Sequence, residues 1–202
     1  MPKNVLILAT KYDRPTSRTF QWAKELHDTF IPKVDACFFV DVTGLCPAGG
    51  ALAAFTKIAT HVIYYGHGEP DWWTALPGNP NTELIGQSNL NLLQSAAVYA
   101  VCCSSLTGLG SQHAHISSRS YIGYDDKFRF DYENEDDFKQ IVNRSAVNFV
   151  LNGNASQRVT DLQKEWTQLE NAFAKGAKQY LKNAAMAGSF ARDNAQRIGE
   201  GR

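Results

Sequence analysis

The chain has 202 residues, 44% of them hydrophobic, with 20 basic and 20 acidic side chains and a formal net charge of zero. That size and apolar content suit one compact α/β domain and exclude a disordered chain. Without a basic excess a nucleic-acid binder is disfavoured, and no stretch reaches membrane-spanning length. The four cysteines, Cys37, Cys46, Cys102 and Cys103, show neither zinc-ligand spacing nor a disulfide framework. The opening MPKNVLILATKYDRP carries too short an apolar run for a signal peptide and no small-residue cleavage site. A reducing cytoplasm is therefore the expected location, and free thiols fit it.

Val5–Ala9 (VLILA) is apolar without alternation, the pattern of a strand covered on both faces in a parallel sheet. Asp13 to Ser17 form a polar turn in which Thr16 or Ser17 is placed to cap a helix. Phe20, Ala23, Leu26 and Phe30 then keep helical spacing, and Pro32 stops the run. Val34–Val42 reads as a second strand, Gly44 to Gly50 as a loop, Leu52 to Ile58 as a short helix, and Val62–Tyr65 as a third strand. This β-α-β-α-β order predicts a parallel sheet with right-handed crossovers. Residues 69–89 hold three prolines and two glycines and predict a long loop with room for a small hairpin, of the kind that often binds.

Leu90–Gln94 reads as a helical turn and Ala97–Val101 as a fourth strand. Thr107 to Ile116 follow as a helix weakened by Gly108 and Gly110, and Tyr121–Tyr124 as a fifth strand ending in Asp125-Asp126. Asn134 is placed to cap a helix whose first turn carries Glu135, Asp136 and Asp137, in keeping with the helix dipole. Asn152–Ser156 is a turn. Val159, Leu162, Trp166, Leu169 and Phe173 then recur at steps of three and four along a longer helix. The division expected is an α/β domain over 1–152 and a helical extension over 153–202 packed on it, with Arg197–Arg202 fraying.

Two strand ends carry the chemistry. HVIYYGHG ends in His67-Gly68, and AAVYAVCCSS ends in Cys102-Cys103-Ser104-Ser105. In an open parallel sheet, ligands bind beyond the carboxyl ends of the strands. His67 lies on that side and His61 on the other. An imidazole beside a thiol favours the thiolate and can protonate a leaving amine, which points to a cysteine hydrolase. Gly68 permits close approach of substrate and offers an amide to an oxyanion, as does Cys103. Successive strand residues face opposite sides. Cys103, which begins the turn, is the expected nucleophile, and Cys102 is the alternative.

The pattern resembles the caspase-like cysteine peptidases, a group that includes caspases, metacaspases, clostripain, gingipains, legumain, separase and the bacterial CHAT proteins. One apolar strand ends in His-Gly (VIYYGHG) and another in a cysteine (VYAVCCSS), and the β-α-β-α-β order matches over about residues 3–126. Cys102 stands where the group usually has Ala or Gly, and Gly108 comes late for the glycine after the nucleophile. The resemblance implies a three-layer α/β/α caspase-like fold with a mostly parallel sheet and a C-terminal helical extension. It implies a His67–Cys103 dyad with oxyanion donors at Gly68 and Cys103. It also implies cleavage after Arg or Lys, with Asp125 or Asp126 at the base of the pocket. A protein or peptide substrate follows, with no cofactor, and so does a place in a bacterial antiviral defence or cell-death module.

Plainer roles compete. His67 fits a turn histidine, and Cys103, like Cys37 and Cys46, a buried thiol. Trp72 and Trp73 fit core packing or a loop anchor, with Trp72 also a candidate substrate wall. Asp125 to Asp137 is acidic enough to suggest calcium but lacks EF-hand spacing, and no metal set emerges. His113 and His115 are expected on an exposed helix face. Gly108–Ser111 (GLGS) does not match a serine nucleophile elbow. The stripe from Val159 to Phe173 most simply packs on its own domain; a regulatory partner or a homodimer through this helix is the sharper alternative. The function expected is a cysteine endopeptidase. A non-catalytic doubly wound ligand- or protein-binding module and a thiol hydrolase of small amides are the alternatives.

Overall fold

Segments that are apolar on both faces must lie inside a sheet covered on both sides, and this requirement sets the architecture. The computed structural model of the protein describes residues 2–45, 50–76 and 83–201. The chain runs β1 (Asn4–Ala9), α1 (Arg14–Phe30), β2 (Ala36–Asp41), α2 (Gly50–Ile58), β3 (His61–Tyr65), β4 (His67–Glu69), β5 (Trp72–Thr74) and β6 (Glu83–Gly86). It continues β7 (Ala97–Val101), α3 (Ser111–Ile116), β8 (Tyr121–Tyr124), α4 (Glu135–Asn152), α5 (Ala155–Lys175), α6 (Ala184–Arg197) and β9 (Ile198–Glu200). The main sheet has six strands in the order β2-β1-β3-β7-β8-β9. All its pairings are parallel except β8 with β9. The β3–β7 register sets Tyr65 opposite Val101, so His67 and Cys103 leave the sheet side by side.

Alternation along the strands divides the core into two layers. Val5, Ile7, Ile63, Tyr65 and Tyr99 face α1, α4, α5 and α6, while Leu6, Leu8, Val62, Tyr64 and Val98 face α2 and the small antiparallel sheet. The fold is a three-layer α/β/α arrangement with a mostly parallel sheet and a helical C-terminal part. The apolar stripe of α5 faces this core: Leu162, Trp166, Leu169 and Phe173 are buried and Val159 packs beside them.

Several local expectations change. The cap of α1 is Asp13, not Thr16 or Ser17. Its carboxylate accepts from the Thr16 amide at 2.9 Å, and Thr16 returns its hydroxyl oxygen to the Asp13 amide. The shorter Ser and Thr side chains lie inside the first turn, where Thr16 serves as the third residue of a capping box. In and just before residues 69–89, where a loop with a small hairpin is expected, β4, β5 and β6 form a three-stranded antiparallel sheet. Residues 77–82 of that stretch, and 46–49 with Cys46, lie outside the described residues. The segment expected to fray instead forms β9 along β8, with the Gly201 amide on the Tyr121 carbonyl at 2.8 Å. An open strand edge offers unpaired backbone groups, and this segment takes them up. The Asn134 side chain makes no cap bond; its amide goes to Asp131 and to the Lys182 carbonyl. His113 is fully buried, with Nε2 against the Leu93 carbonyl at 3.1 Å, because its helix packs onto the turn at 90–93.

Trp166 is fully buried between the sheet and α4, against Phe128 and Phe138. Trp166→Ala should cost about 3–5 kcal/mol. Urea unfolding should show one transition shifted as a whole, since α5 shares the core of the sheet; a separate early transition would mean that the helices unfold independently.

Candidate active site

The carboxyl ends of β1, β3 and β7 converge on one cleft of about 790 Å³, lined by Tyr12, His67, Gly68, Trp72, Cys103 and Ser104 among others. Each arrives through a local device. Beyond β3, the Gly66 amide still reaches the Val101 carbonyl at 3.4 Å, and the next residue, His67, opens β4. At Gly68 a Cβ would stand 2.6 Å from the Cys103 carbonyl and 2.7 Å from Cys102 Sγ, so only glycine lets the histidine hairpin lie against the cysteine turn. After Cys103, Ser104 takes φ +53°, an uncommon conformation for a residue with a side chain. Its amide donates to the Asp126 carbonyl at 2.8 Å. A π-helical turn over Leu106–Gly110 follows, and the Leu109 amide ties it to the Pro70 carbonyl at 2.7 Å.

The two cysteines part at this turn. Cys102 is 1% exposed within the apolar layer, and burial pushes its thiol well up. Cys103 is half-buried, lines the cleft, and points its Sγ toward the Phe128 carbonyl at 4.0 Å.

His67 is held from both sides. Nε2 lies 2.8 Å from Asp13 Oδ2, which leaves Nδ1 as the other ring nitrogen. The hydrogen bond with the Cys103 sulfur is the largest influence raising its pKa. Partial burial works against it, Asp13 adds to it, and the imidazole is held up at about 9. Burial acts to raise the Asp13 carboxyl, but the Thr16 hydroxyl and amide and His67 together keep it below the ordinary carboxylate range. Tyr12 lies beside the imidazole, ring centroids 5.6 Å apart, and its hydroxyl meets Thr74 Oγ1 at 2.8 Å.

The expected residues are placed as follows. His67, Gly68, Cys103 and Trp72 line the cleft together, and Trp72 is 40% exposed. His61 lies at the opposite end of β3, where burial, Lys3 and Arg119 push its pKa down to about 4. Asp125 and Asp126 are not among the cleft-lining residues. Their carboxylates face Arg197 at 3.6 and 3.7 Å, because the end of α6 lies over that side of the turn. The cleft lining also holds the carboxylates of Glu69 and Glu83 and the cations of Lys127 and Arg129. No motif in the sequence marks Asp13, the partner of His67. Its one signal was its place just past the end of the first buried strand, on the same rim as His67. Among the described residues no group of three or more His, Cys, Asp or Glu is arranged to hold a metal. No helix there is long and apolar enough to cross a membrane.

The fold is that of the caspase-like cysteine proteinases. The chain matches the Porphyromonas gingivalis RgpB pro- and mature-domain complex with a TM-score of 0.60 and 10% identity, covering 98% of this chain and 47% of that one. It matches the Arg-specific cysteine proteinase gingipain R (RgpB) with a TM-score of 0.59 and 12% identity, covering 98% and 46%. The chain thus spans about half the length of either. No family model matches the sequence, and no curated protein matches it significantly.

Asp13→Asn keeps a good helix cap but removes the charge that faces His67. The imidazole pKa, read by NMR titration, should fall from about 9 toward the ordinary value of 6.5. Because the folded pKa is raised, the stability that His67 gains from its partners is full below pH 6.5 and fades as pH rises through about 9. The stability difference between wild type and Asp13→Asn should shrink over that window. An unchanged His67 titration would show that Asp13 does not act on the ring.

Proposed function

We propose that the chain is a cysteine endopeptidase that cleaves a protein or peptide substrate after a basic residue, with Cys103 as nucleophile and His67 as its acid and base. The observation that carries this reading is that His67, paired with Asp13, and a half-buried Cys103 line one cleft from neighbouring strand ends. The thiolate is the nucleophilic form of cysteine, and an imidazole titrating at about 9 provides a counter-charge at neutral pH. Cys103 Sγ attacks the scissile carbonyl carbon and the carbonyl π electrons move to oxygen. The amides of Gly68 and Cys103 are the candidate donors to that oxyanion. As the C–N bond breaks, the imidazolium gives its proton to the departing amine, leaving a thioester on Cys103. Neutral His67 then takes a proton from water, the water oxygen attacks the thioester, and the acid is released as Cys103 Sγ leaves. Asp13 holds the ring in place through both halves.

Glu69 and Glu83 supply the negative charge suited to a substrate cation, since Asp125 and Asp126 are engaged by Arg197. Trp72 offers an apolar wall for its aliphatic stem.

The deciding experiment is an Arg-based covalent peptide inhibitor followed by mass mapping. Label on Cys103, lost in Cys103→Ala and kept in Cys102→Ala, is the expected result; no label, or label on Cys102, sinks this reading. Hydrogen bonds to charged groups are worth about 1.5–3 kcal/mol, so the double change Glu69→Gln, Glu83→Gln should raise KM for Arg peptides by about ten- to a hundredfold. Equal turnover of Asp or Leu peptides by wild type would remove the basic preference. Gly68→Ala should lower kcat/KM by about a hundredfold or more, as its methyl group displaces the Cys103 backbone.

A further inference from the structure

The buried face of α6 is made of Ala184, Ala187, Gly188, Ala191 and Asn194. Four small residues let the helix lie close on α5, where a Cβ on Gly188 would come within 3.3 Å of Phe173 Cβ. The fifth is an amide, fully buried, in a helix position where Asn is a poor former. A polar group kept at such a site needs partners, and Asn194 has them on a single residue of another segment. Its Oδ1 accepts from the Arg129 amide at 3.0 Å, and its Nδ2 donates to the Arg129 carbonyl at 2.7 Å. The side chain thereby occupies the backbone of Arg129 as a neighbouring strand would.

Arg129 belongs to the segment after β8 that lines the cleft with Lys127 and Phe128. The same segment touches the nucleophile turn twice: the Phe128 carbonyl faces Cys103 Sγ, and the Asp126 carbonyl accepts from the Ser104 amide. Among the described residues, α6 makes no other hydrogen bond to the main chain of the cleft lining; Asp193 and Phe190 meet only the Arg129 side chain. The Arg197 carbonyl accepts from the Asp125 amide two residues outside the lining, and Asn183, just before α6, donates to the Asp131 carboxylate beyond its other end.

We infer that Asn194 is a positioning residue for the cleft: through the Arg129 backbone it sets the distance between the Lys127–Arg129 wall and the Cys103–Ser104 turn. This rests on the proposed peptidase reading for its effect on turnover, but not for its effect on the wall. The side chain is too deep to touch substrate, so it acts only through the segment it holds. Replacing it leaves Arg129's amide and carbonyl without their partners and frees the wall to shift.

The test compares Asn194→Ala with Leu169→Ala, a change at a buried α5 residue that neither lines the cleft nor bonds the Arg129 backbone, both well below their melting temperatures. Asn194→Asp keeps the acceptor and loses the donor, and provides a second variant should Asn194→Ala not fold. Amide hydrogen exchange at Ser104 and Arg129 should quicken by about tenfold or more in the Asn194 variants and stay near wild type in Leu169→Ala. KM for Arg peptides should rise by about tenfold or more, a larger factor than any fall in kcat, because the wall lines the cleft directly and reaches Cys103 only through the Phe128 carbonyl and the Ser104 amide. If the Asn194 variants match Leu169→Ala in exchange, or exchange faster while KM stays within about twofold of it, the inference is overturned. Should wild type cut no peptide, the peptidase reading fails by itself. The alkylation rate of Cys103 by iodoacetamide, mapped by mass, then replaces KM. A change of about fivefold or more against Leu169→Ala upholds the positioning role, and equality refutes it.

Discussion

One carboxylate joins the fold to the chemistry. Asp13 Oδ1 caps α1 through the Thr16 amide, and Oδ2 meets His67. The cap is a local device that every helix needs, because its first amides have no partner within the helix. Here the cap sits just past the end of β1, next to β3, so the group that starts a helix is also in reach of the histidine that leaves the neighbouring strand. The orientation of the imidazole is therefore secured by the most local part of the structure. A capping box fixes the carboxylate, the helix buries Phe20, Trp22 and Leu26 against the sheet, and the strand order brings the ring to it.

The second constraint is steric. The histidine hairpin and the cysteine turn touch through Gly68, the Leu109–Pro70 bond and the close pass of Gly108 over the Pro70 carbonyl. These contacts explain why the turn after Cys103 departs from regular helix. Ser104 has a positive φ, and a π-helical turn absorbs an extra residue before α3 begins. Such turns often mark functional sites, and here the irregular backbone keeps Cys103 at the cleft while Leu109 returns to the core.

The sequence made the parallel sheet readable because its strands are buried on both faces and so lack any helical period. His67 and Cys103 were readable for the same reason, as abrupt ends to such runs. What the sequence hid depends on geometry across the sheet. Asp13 is an ordinary capping carboxylate until β1 is known to lie beside β3. Asp125 and Asp126 follow a strand at the expected rim, yet the return of α6 and β9 brings Arg197 onto them. Glu69 and Glu83 lay in a stretch whose prolines and glycines suggested a loop; only its folding as a small sheet turns both carboxylates to one cleft. The amphipathic period of α5 was plain, but nothing in it told a domain core from a partner seam until the buried side chains met Tyr124, Phe128 and Phe138.

The adjacent cysteines show how a single step along the chain separates two fates of one functional group. A strand alternates its side chains between faces, and at Cys102 that alternation still holds. The sulfur joins Tyr64, Trp73 and Tyr121 in the closed layer, where burial disfavours its ionised form. One residue later the sheet has ended, the chain turns, and the same side chain faces His67 and lines the cleft. Nucleophilicity in a cysteine follows from charge nearby and access, not from the residue itself. A sequence with two thiols in a row carries no such information, whereas the register of β3 against β7 does. It counts His67 level with Cys103, so the residue opposite the imidazole is the one already clear of the core.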